Sequence, residues 1–389
     1  MLFDHFERIN GNPAEHGESL YSFLNRAAGE QWQSVRDVLS EWLSHYPEGE
    51  QSTLISRFRR TDRRGFLGAF WELYLHDLFR RLGFEIALHP EVSGTTHRPD
   101  FRLQRGSAHT YVEAVTIFEP QPHSIEDARM APVIDAINSI SSPVFHLAME
   151  AYSIGAIAPP ANQLCQTVDA WIQGLDVSAE SWHPSNSSGV LRWQYQGWDL
   201  QFTPIPRSPK DRGLGASPTL GVHPERRGMI DDHRAIRQRL GEKTRAYGRQ
   251  LRAPLVIALI SYRHTTDFDE LLAGLFGAAY HHPEMIRDGA IHRSRWGSSN
   301  GFWLTNKGVE YDDASAVLTA FELMPWSVAR RQPWLISNPW ASQRLEIELP
   351  FNRVVVDTTT GIIERVETDF QPQVHFGLPP DWPNDSAIS

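Results

Sequence analysis

Three acids in this chain are spaced so that they could share one divalent cation: Glu72, the aspartate of Pro99-Asp100, and Glu113. Hard cations such as Mg²⁺ take oxygen ligands, typically one or two carboxylates completed by water and substrate phosphate. A cation held this way polarises a phosphoryl oxygen and supplies a nucleophile, which is the chemistry of phosphodiester cleavage. A lysine on the apolar stripe of a helix, Lys243, adds a positive charge that such chemistry can use.

The elements that must carry these residues follow from periodicity. Residues 64–82 (RGFLGAFWELYLHDLFRRL) read as a helix closed by Gly83, a residue that tolerates the left-handed cap conformation. Gly65, Gly68 and Ala69 on the Glu72 side permit close approach by another element. An extended run at 84–89, a turn near Ser93-Gly94, a strand at 98–103, a turn at Gly106 and a strand at 111–117 follow. Singly, each acid has an ordinary structural explanation, since Pro-Asp is a common turn pair and a helical Glu often pairs with Arg. Glu113 is the hardest to dismiss, because it lies among β-formers where an unpaired carboxylate is costly to bury.

A second helix is expected at 231–251, with Asp231 or Asp232 as N-cap. Its apolar positions Ile236, Leu240, Tyr247 and Leu251 form a stripe, and Lys243 falls on it rather than on the face of Arg237, Glu242 and Arg249. A lysine there either serves the site or packs its stem on the core while its head reaches water. Residues 254–260 (PLVIALI) read as a fully buried strand.

This order of helix, three strands, helix and strand, carrying Glu72, Pro99-Asp100 and Glu113, resembles the PD-(D/E)xK (restriction-endonuclease-like) nuclease superfamily over residues 62–118 and 231–262. That superfamily usually places a lysine two residues after the second acid, where this chain has Val115. Lys243-x-x-x-Tyr247 resembles the variant in which the lysine has migrated to the second helix, and Val115 leaves room for its ammonium. The resemblance implies an α/β fold built on a restriction-endonuclease-like core and a metal-dependent nuclease, with DNA ahead of RNA as substrate. By the same resemblance Asp100 and Glu113 hold Mg²⁺ or Mn²⁺ with the backbone carbonyl of Ala114. Glu72 binds that metal through water or holds a second one. Lys243 positions or activates the attacking water, Tyr247 orients the lysine or contacts phosphate, and the product carries a 5′ phosphate. The alternative is a nuclease fold without catalysis, serving as a nucleic-acid-binding or scaffolding subunit, and Val115 is its best support.

Composition narrows the remaining classes. The chain has 389 residues with 41% hydrophobic content, enough for one large or two ordinary domains. One cysteine, Cys165, excludes an internal disulfide and a thiolate zinc cluster, and fits a reducing cytoplasm. The start, Met1-Leu-Phe-Asp-His, has neither the basic region nor the apolar run of a signal peptide, and no apolar stretch approaches bilayer length. A net charge of −10 argues against a protein that coats DNA, though a nuclease needs only a local basic groove. Arg57, Arg59, Arg60, Arg63 and Arg64, with the arginines flanking Lys243, are the candidate groove; a basic run is also commonly a solvated face. All but three of the 37 Lys and Arg residues are arginine, a bias that a GC-rich genome also produces. The expected partner is nucleic acid, not a membrane, and a protein partner or homo-oligomer is compatible with the chain.

Other constellations are weaker. Seventeen histidines, including His281-His282 and His292, show neither HExxH nor a Cys/His zinc spacing. GxxxxGK[ST] is absent. Asn186-Ser-Ser188 matches a glycosylation sequon that means nothing without a secretory signal. Among 13 tryptophans, Trp193 and Trp198 could stack on bases, although most Trp residues anchor cores.

Around the core, 1–61 reads as an N-terminal segment of two or three helices, with Leu20, Phe23 and Leu24 on one apolar face and Trp32, Val35, Leu39 and Trp42 on another. An insertion at 119–230 holds a helix (Leu164, Val168, Trp171, Ile172, Leu175), a β-hairpin turning at Gln196-Gly197, and a long loop at 204–224. Its neighbourhood, with Arg207, Arg212, Arg226 and Arg227, is expected to border the active-site groove and govern substrate choice. A β-rich C-terminal α+β extension fills 263–389. It comprises a helix at 268–276, an irregular segment at 281–300, short strands near 301–304 and 315–323, a β-rich stretch at 344–357 and a polar tail from 371.

Overall fold

The computed structural model describes the chain except for His16 and residues 119–123, 176–188, 208–218, 223–231, 248–250, 264–265, 278, 281–285, 288–289, 292, 297–299, 306 and 384–389. The protein is mixed α/β and divides into two compact units. Residues 1–11, 19–119 and 230–389 form the first; 12–18 and 120–229 form the second.

The first unit opens with α1 (Leu20–Arg26), α2 (Glu30–Ser44) and α3 (Glu48–Phe58), and then α4 (Arg63–Arg81). Asp62 caps α4 by accepting the Gly65 N–H at 2.8 Å, and Gly83, at φ +79°, lets the chain turn out of it. Buried residues run all round α4 from Phe66 to Phe79, as a helix enclosed on every side requires. The chain continues through β1 (Glu85–Leu88), β2 (Phe101–Arg105) and β3 (Ala108–Ile117), an antiparallel meander.

The second unit contains α5 (Ser124–Asn138), β4 (Phe145–Ser153), α6 (Ala161–Gln173), β5 (Leu191–Tyr195), β6 (Trp198–Pro206) and β7 (Leu220–Val222). Its sheet runs β5-β6-β4-β7, and Ile137, Leu147, Leu164, Val168, Trp198 and Phe202 belong to its core. The expected hairpin is β5–β6, turning through Gln196 (φ +40°) and Gly197 (φ +87°). Helix α5 and strand β4 were not expected from the pattern, and Pro132 inside α5 breaks the usual helical signature.

Returning to the first unit, α7 (Asp232–Tyr247) leads into β8 (Leu255–Ser261), then α8 (Phe268–Phe276), β9 (Ala279–Tyr280), β10 (Ile286–Arg287), β11 (Ala290–Ile291) and β12 (Arg293–Trp296). The remainder holds β13 (Leu304–Thr305), β14 (Gly308–Val309), β15 (Ala316–Ala320), β16 (Pro333–Ser337), β17 (Asn352–Asp357), β18 (Ile362–Val366) and α9 (Pro372–His375). Ten of these strands form one mixed sheet in the order β1-β2-β3-β8-β15-β16-β17-β18-β12-β9, while β10–β11 and β13–β14 pair separately. Strand β8 is parallel to both neighbours, β3 and β15, and its apolar run is buried on both faces, as central parallel strands are.

The two faces carry different helices. Phe66, Phe70, Trp71 and Tyr74 of α4 pack with Val112, Val256, Ala258 and Ile260. Ile236, Leu240 and Tyr247 of α7 pack with Val115, Ile117, Ile257 and Leu259. Trp71 Nε1 also donates to the Ala258 carbonyl at 2.9 Å, which pins α4 along the sheet.

Three expectations need correction. The segment from 263 onward is not an appendage, because β15 pairs directly with β8 and extends the same sheet. Residues 344–351 alternate apolar and polar like a strand, yet pairing begins only at Asn352. Leu345, Ile347 and Leu349 pack on the core without joining the ladder, so their alternation reports one-sided burial. The stretch from 371 is a docked segment as far as Pro383, since Phe376 lies 4.9 Å from Trp42 and 5.4 Å from Tyr74 between ring centroids, and Trp382 is buried. Among the described residues, no helix is long and apolar enough to cross a membrane.

Candidate active site

Strands β2 and β3 pair with Phe101 opposite Val112, so the next step of that register sets Asp100 opposite Glu113. Residues opposite one another project to the same sheet face. Asp100 stands just before β2 begins, and its Oδ2 accepts the Ala114 N–H at 2.7 Å. The carboxylate thus takes over the ladder where β2 stops. Ala114 meets Asp100 through its N–H. Burial first, then the negative charges of Glu113 and Glu72, push the Asp100 carboxyl up to about 7, against the opposing pull of the Ala114 N–H and Lys243.

Glu113 is 4% exposed, and α7 supplies donors to both its oxygens. Lys243 Nζ lies 2.5 Å from Oε1, and the Tyr247 hydroxyl donates to Oε2. Spacing of four residues sets both donors on one face of α7, over β3. Val115, next on the Glu113 face of β3, is buried in the apolar layer between strand and helix. Burial and the adjacent Glu113 charge raise the Tyr247 phenol, which keeps it a neutral donor. The His97 ring meets Tyr247 edge-on, with centroids 6.3 Å apart.

Glu72 is also buried, at 5% exposure, and both its oxygens are engaged. The Tyr46 hydroxyl donates to Oε1 at 2.6 Å, and Arg57 Nη1 donates to Oε2. Tyr46 escaped sequence reasoning. It sits between α2 and α3, where no periodicity ties it to an acid 26 residues onward. Arg57 was singled out for a basic groove and proves to be the ion-pair partner of Glu72 as well.

Asp100, Glu113, Lys243 and Tyr247 are therefore brought together, with Glu72 close enough for its charge to act on Asp100. Among the described residues, no group of three or more His, Cys, Asp or Glu side chains is arranged to hold a metal ion. The donor set is nonetheless suited to a hard cation. It is all oxygen, and each carboxylate oxygen that accepts one hydrogen bond keeps a second lone pair.

Other candidates resolve differently. Arg207 does not border a groove: it is 5% exposed, and its Nε donates to the Ser142 carbonyl at 2.9 Å inside the second unit. Trp193 and Trp198 are buried, Trp198 donating to the Ile157 carbonyl at 2.7 Å, so both are core anchors and not stacking platforms. Arg59 pairs with Asp4 and Arg60 with Asp62. Arg212, Arg226, Arg227, Asp231, the sequon at Asn186, His281, His282 and His292 lie outside the described residues. No protein-family model, curated protein or solved structure matches this chain.

Proposed function

We propose that this protein is a metal-dependent nuclease, with DNA ahead of RNA as substrate, on a restriction-endonuclease-like core of the PD-(D/E)xK kind. The observation that carries the reading is the Lys243 ammonium, delivered by α7 to Glu113 beside the position of Val115. Asp100 and Glu113, with Glu72 through water and the Ala114 carbonyl, would hold Mg²⁺ or Mn²⁺. A cation there supplies Lewis-acid stabilisation of the phosphate oxygens and a more acidic bound water. Lys243 retains two N–H donors beyond its bond to Glu113, and these suit an attacking water and the charge growing on the phosphate. Tyr247 fixes Glu113 from the other oxygen and so keeps the lysine aimed. Cleavage assays on single- and double-stranded DNA and RNA with Mg²⁺ or Mn²⁺ test this, and absence of cleavage on all four substrates removes it.

A second reading, a nuclease-fold subunit that binds nucleic acid or scaffolds without cutting, draws support from one observation. Both oxygens of Glu113 and both of Glu72 already have protein donors. A metal-binding isotherm separates the two readings.

A further inference from the structure

A cavity of about 480 Å³ opens next to the acid cluster, between α4, α7 and the end of β3. Arg57, Arg64 and Arg239 line it, together with Gly68, Thr116 and Phe118. Its volume falls within the roughly 300–1,000 Å³ range of sites that enclose small ligands. Three guanidinium groups face it on a chain whose net charge is −10, so the cavity is a local exception to the field of the whole protein. Glu242 also lines it, but that carboxylate is held by Arg239 at 3.1 Å and Gln238 at 3.0 Å.

Position ties the cavity to the acids. On α4, Arg64, Gly68 and Glu72 recur every four residues; on α7, Arg239, Lys243 and Tyr247 do the same. Each set lies along one helix face, so each helix runs from the cavity to the acid cluster in steps of about 6 Å. Along β3, Thr116 lies three residues beyond Glu113, roughly 10 Å away. Those distances match one or two backbone steps of an extended nucleic-acid strand. A Cβ at Gly68 would stand at ordinary contact distance, 3.5 Å, from Arg57 Nη2, so this position borders the Arg57 guanidinium. Arg57 is oriented from behind by Glu72, and the Arg64 guanidinium lies over the Phe118 ring, 5.5 Å from its centroid. Planar guanidinium forks held in this manner suit phosphate oxygens.

We infer that the Arg57–Arg64–Arg239 cavity takes the phosphate next to the scissile one on a single nucleic-acid strand, which makes single-stranded nucleic acid the preferred substrate class. The inference rests on the nuclease reading for the scissile position. A single strand is favoured over a duplex because a second strand lying along this acidic chain would meet net repulsion.

The test is fluorescence-anisotropy binding of labelled single-stranded and blunt duplex oligonucleotides, of DNA and of RNA, in EDTA, with parallel cleavage assays in Mg²⁺ or Mn²⁺. The native chain should bind single strands at least about tenfold more tightly than duplex. Arg64→Gln and Arg239→Gln should each weaken single-strand binding and reduce the salt slope by about 0.7, the value of one lost phosphate contact. The corresponding Arg→Lys variants should restore the slope. Gly68→Glu, which adds a carboxylate while removing no native side chain, should weaken binding more than Gly68→Gln. Duplex bound as tightly as single strand, or slopes unmoved by all the charge changes, overturns the inference. If the native chain cuts while the variants bind unchanged, the cavity assignment alone fails. If it cuts nothing but the variants lose single-strand binding, the nuclease reading alone fails.

Discussion

Lys243 and Glu113 are separated by 130 residues of chain, yet Nζ lies 2.5 Å from Oε1. The contact joins α7 to β3, and the Tyr247 hydroxyl on the other oxygen removes the freedom of the carboxylate to rotate. A buried carboxylate needs such donors simply to be tolerated. What exceeds that need is the location, on the face shared with Asp100 and directly beside Val115.

Lys243→Met should therefore lower cleavage by about 10²- to 10⁴-fold, the usual contribution of one positioned acid–base group. Stability should fall by only about 1–3 kcal/mol, because Glu113 keeps Tyr247 as a donor. Val115→Lys in that background should recover part of the activity, since residue 115 projects to the same face as Glu113. Single-turnover cleavage and urea melts measure both effects. Full activity in Lys243→Met would show that the ammonium serves only to neutralise Glu113.

Asp100 makes a pH prediction for the metal-free protein. Its carboxyl stands at about 7 in the folded chain against an ordinary value of 3.8. Between those values the folded state holds a proton that the unfolded state has released, so stability declines as pH rises from about 4 to about 7 and levels off above. Asp100→Asn should flatten that window. Denaturant midpoints from pH 4.5 to 8 in EDTA check it, and a native profile parallel to that of the variant would mean the carboxyl is not raised.

Much of this site was legible because it obeys local periods. Glu113 and Val115 share parity on a strand, Lys243 falls on the stripe of Ile236 and Leu240, and the buried run at 255–260 announces a central strand. Tyr46 and Arg57 were not legible as clasps on Glu72. Each pairing depends on how α2, α3 and α4 pack, which no spacing within one element encodes. Arg207 misled in the opposite sense. A loop arginine suggests phosphate, and only the fold reveals the carbonyls of Ser142 and Phe145 around it. The sheet beyond β8 was obscured for a similar reason, since β15 finds its partner across α8 and several short strands.

The Glu72 clasp should behave as a coupled unit. Tyr46→Phe should destabilise the protein by about 1–2 kcal/mol, and Arg57→Ala by about 1–3 kcal/mol, because each leaves a buried carboxylate oxygen short of a donor. In the Glu72→Gln background the Arg57→Ala penalty should shrink by at least about 0.5 kcal/mol, as residues in direct contact do in double-mutant cycles. Additive penalties would mean that Arg57 acts on stability other than through the acid.

Cation binding is the measurement that divides the nuclease from the binding subunit. Calorimetric titration with Mn²⁺ should show binding by the native chain that Asp100→Asn and Glu113→Gln each abolish or weaken by about tenfold or more. Asp100 has the most to gain, since its raised carboxyl must ionise to act as a ligand. Apparent affinity should consequently rise between pH 6 and 8, with the proton released on binding visible as a buffer-dependent enthalpy. Lys243→Met should tighten the binding, because the ammonium on Glu113 Oε1 opposes an incoming cation both by charge and by occupying a lone pair. Removing Tyr247 by Tyr247→Phe should act in the same direction but more weakly, since a neutral hydroxyl occupies Oε2 without adding repulsion. A native chain that binds no Mn²⁺ at millimolar concentration, while Lys243→Met does, would show that the lysine has replaced the metal, and the non-cutting reading would then stand.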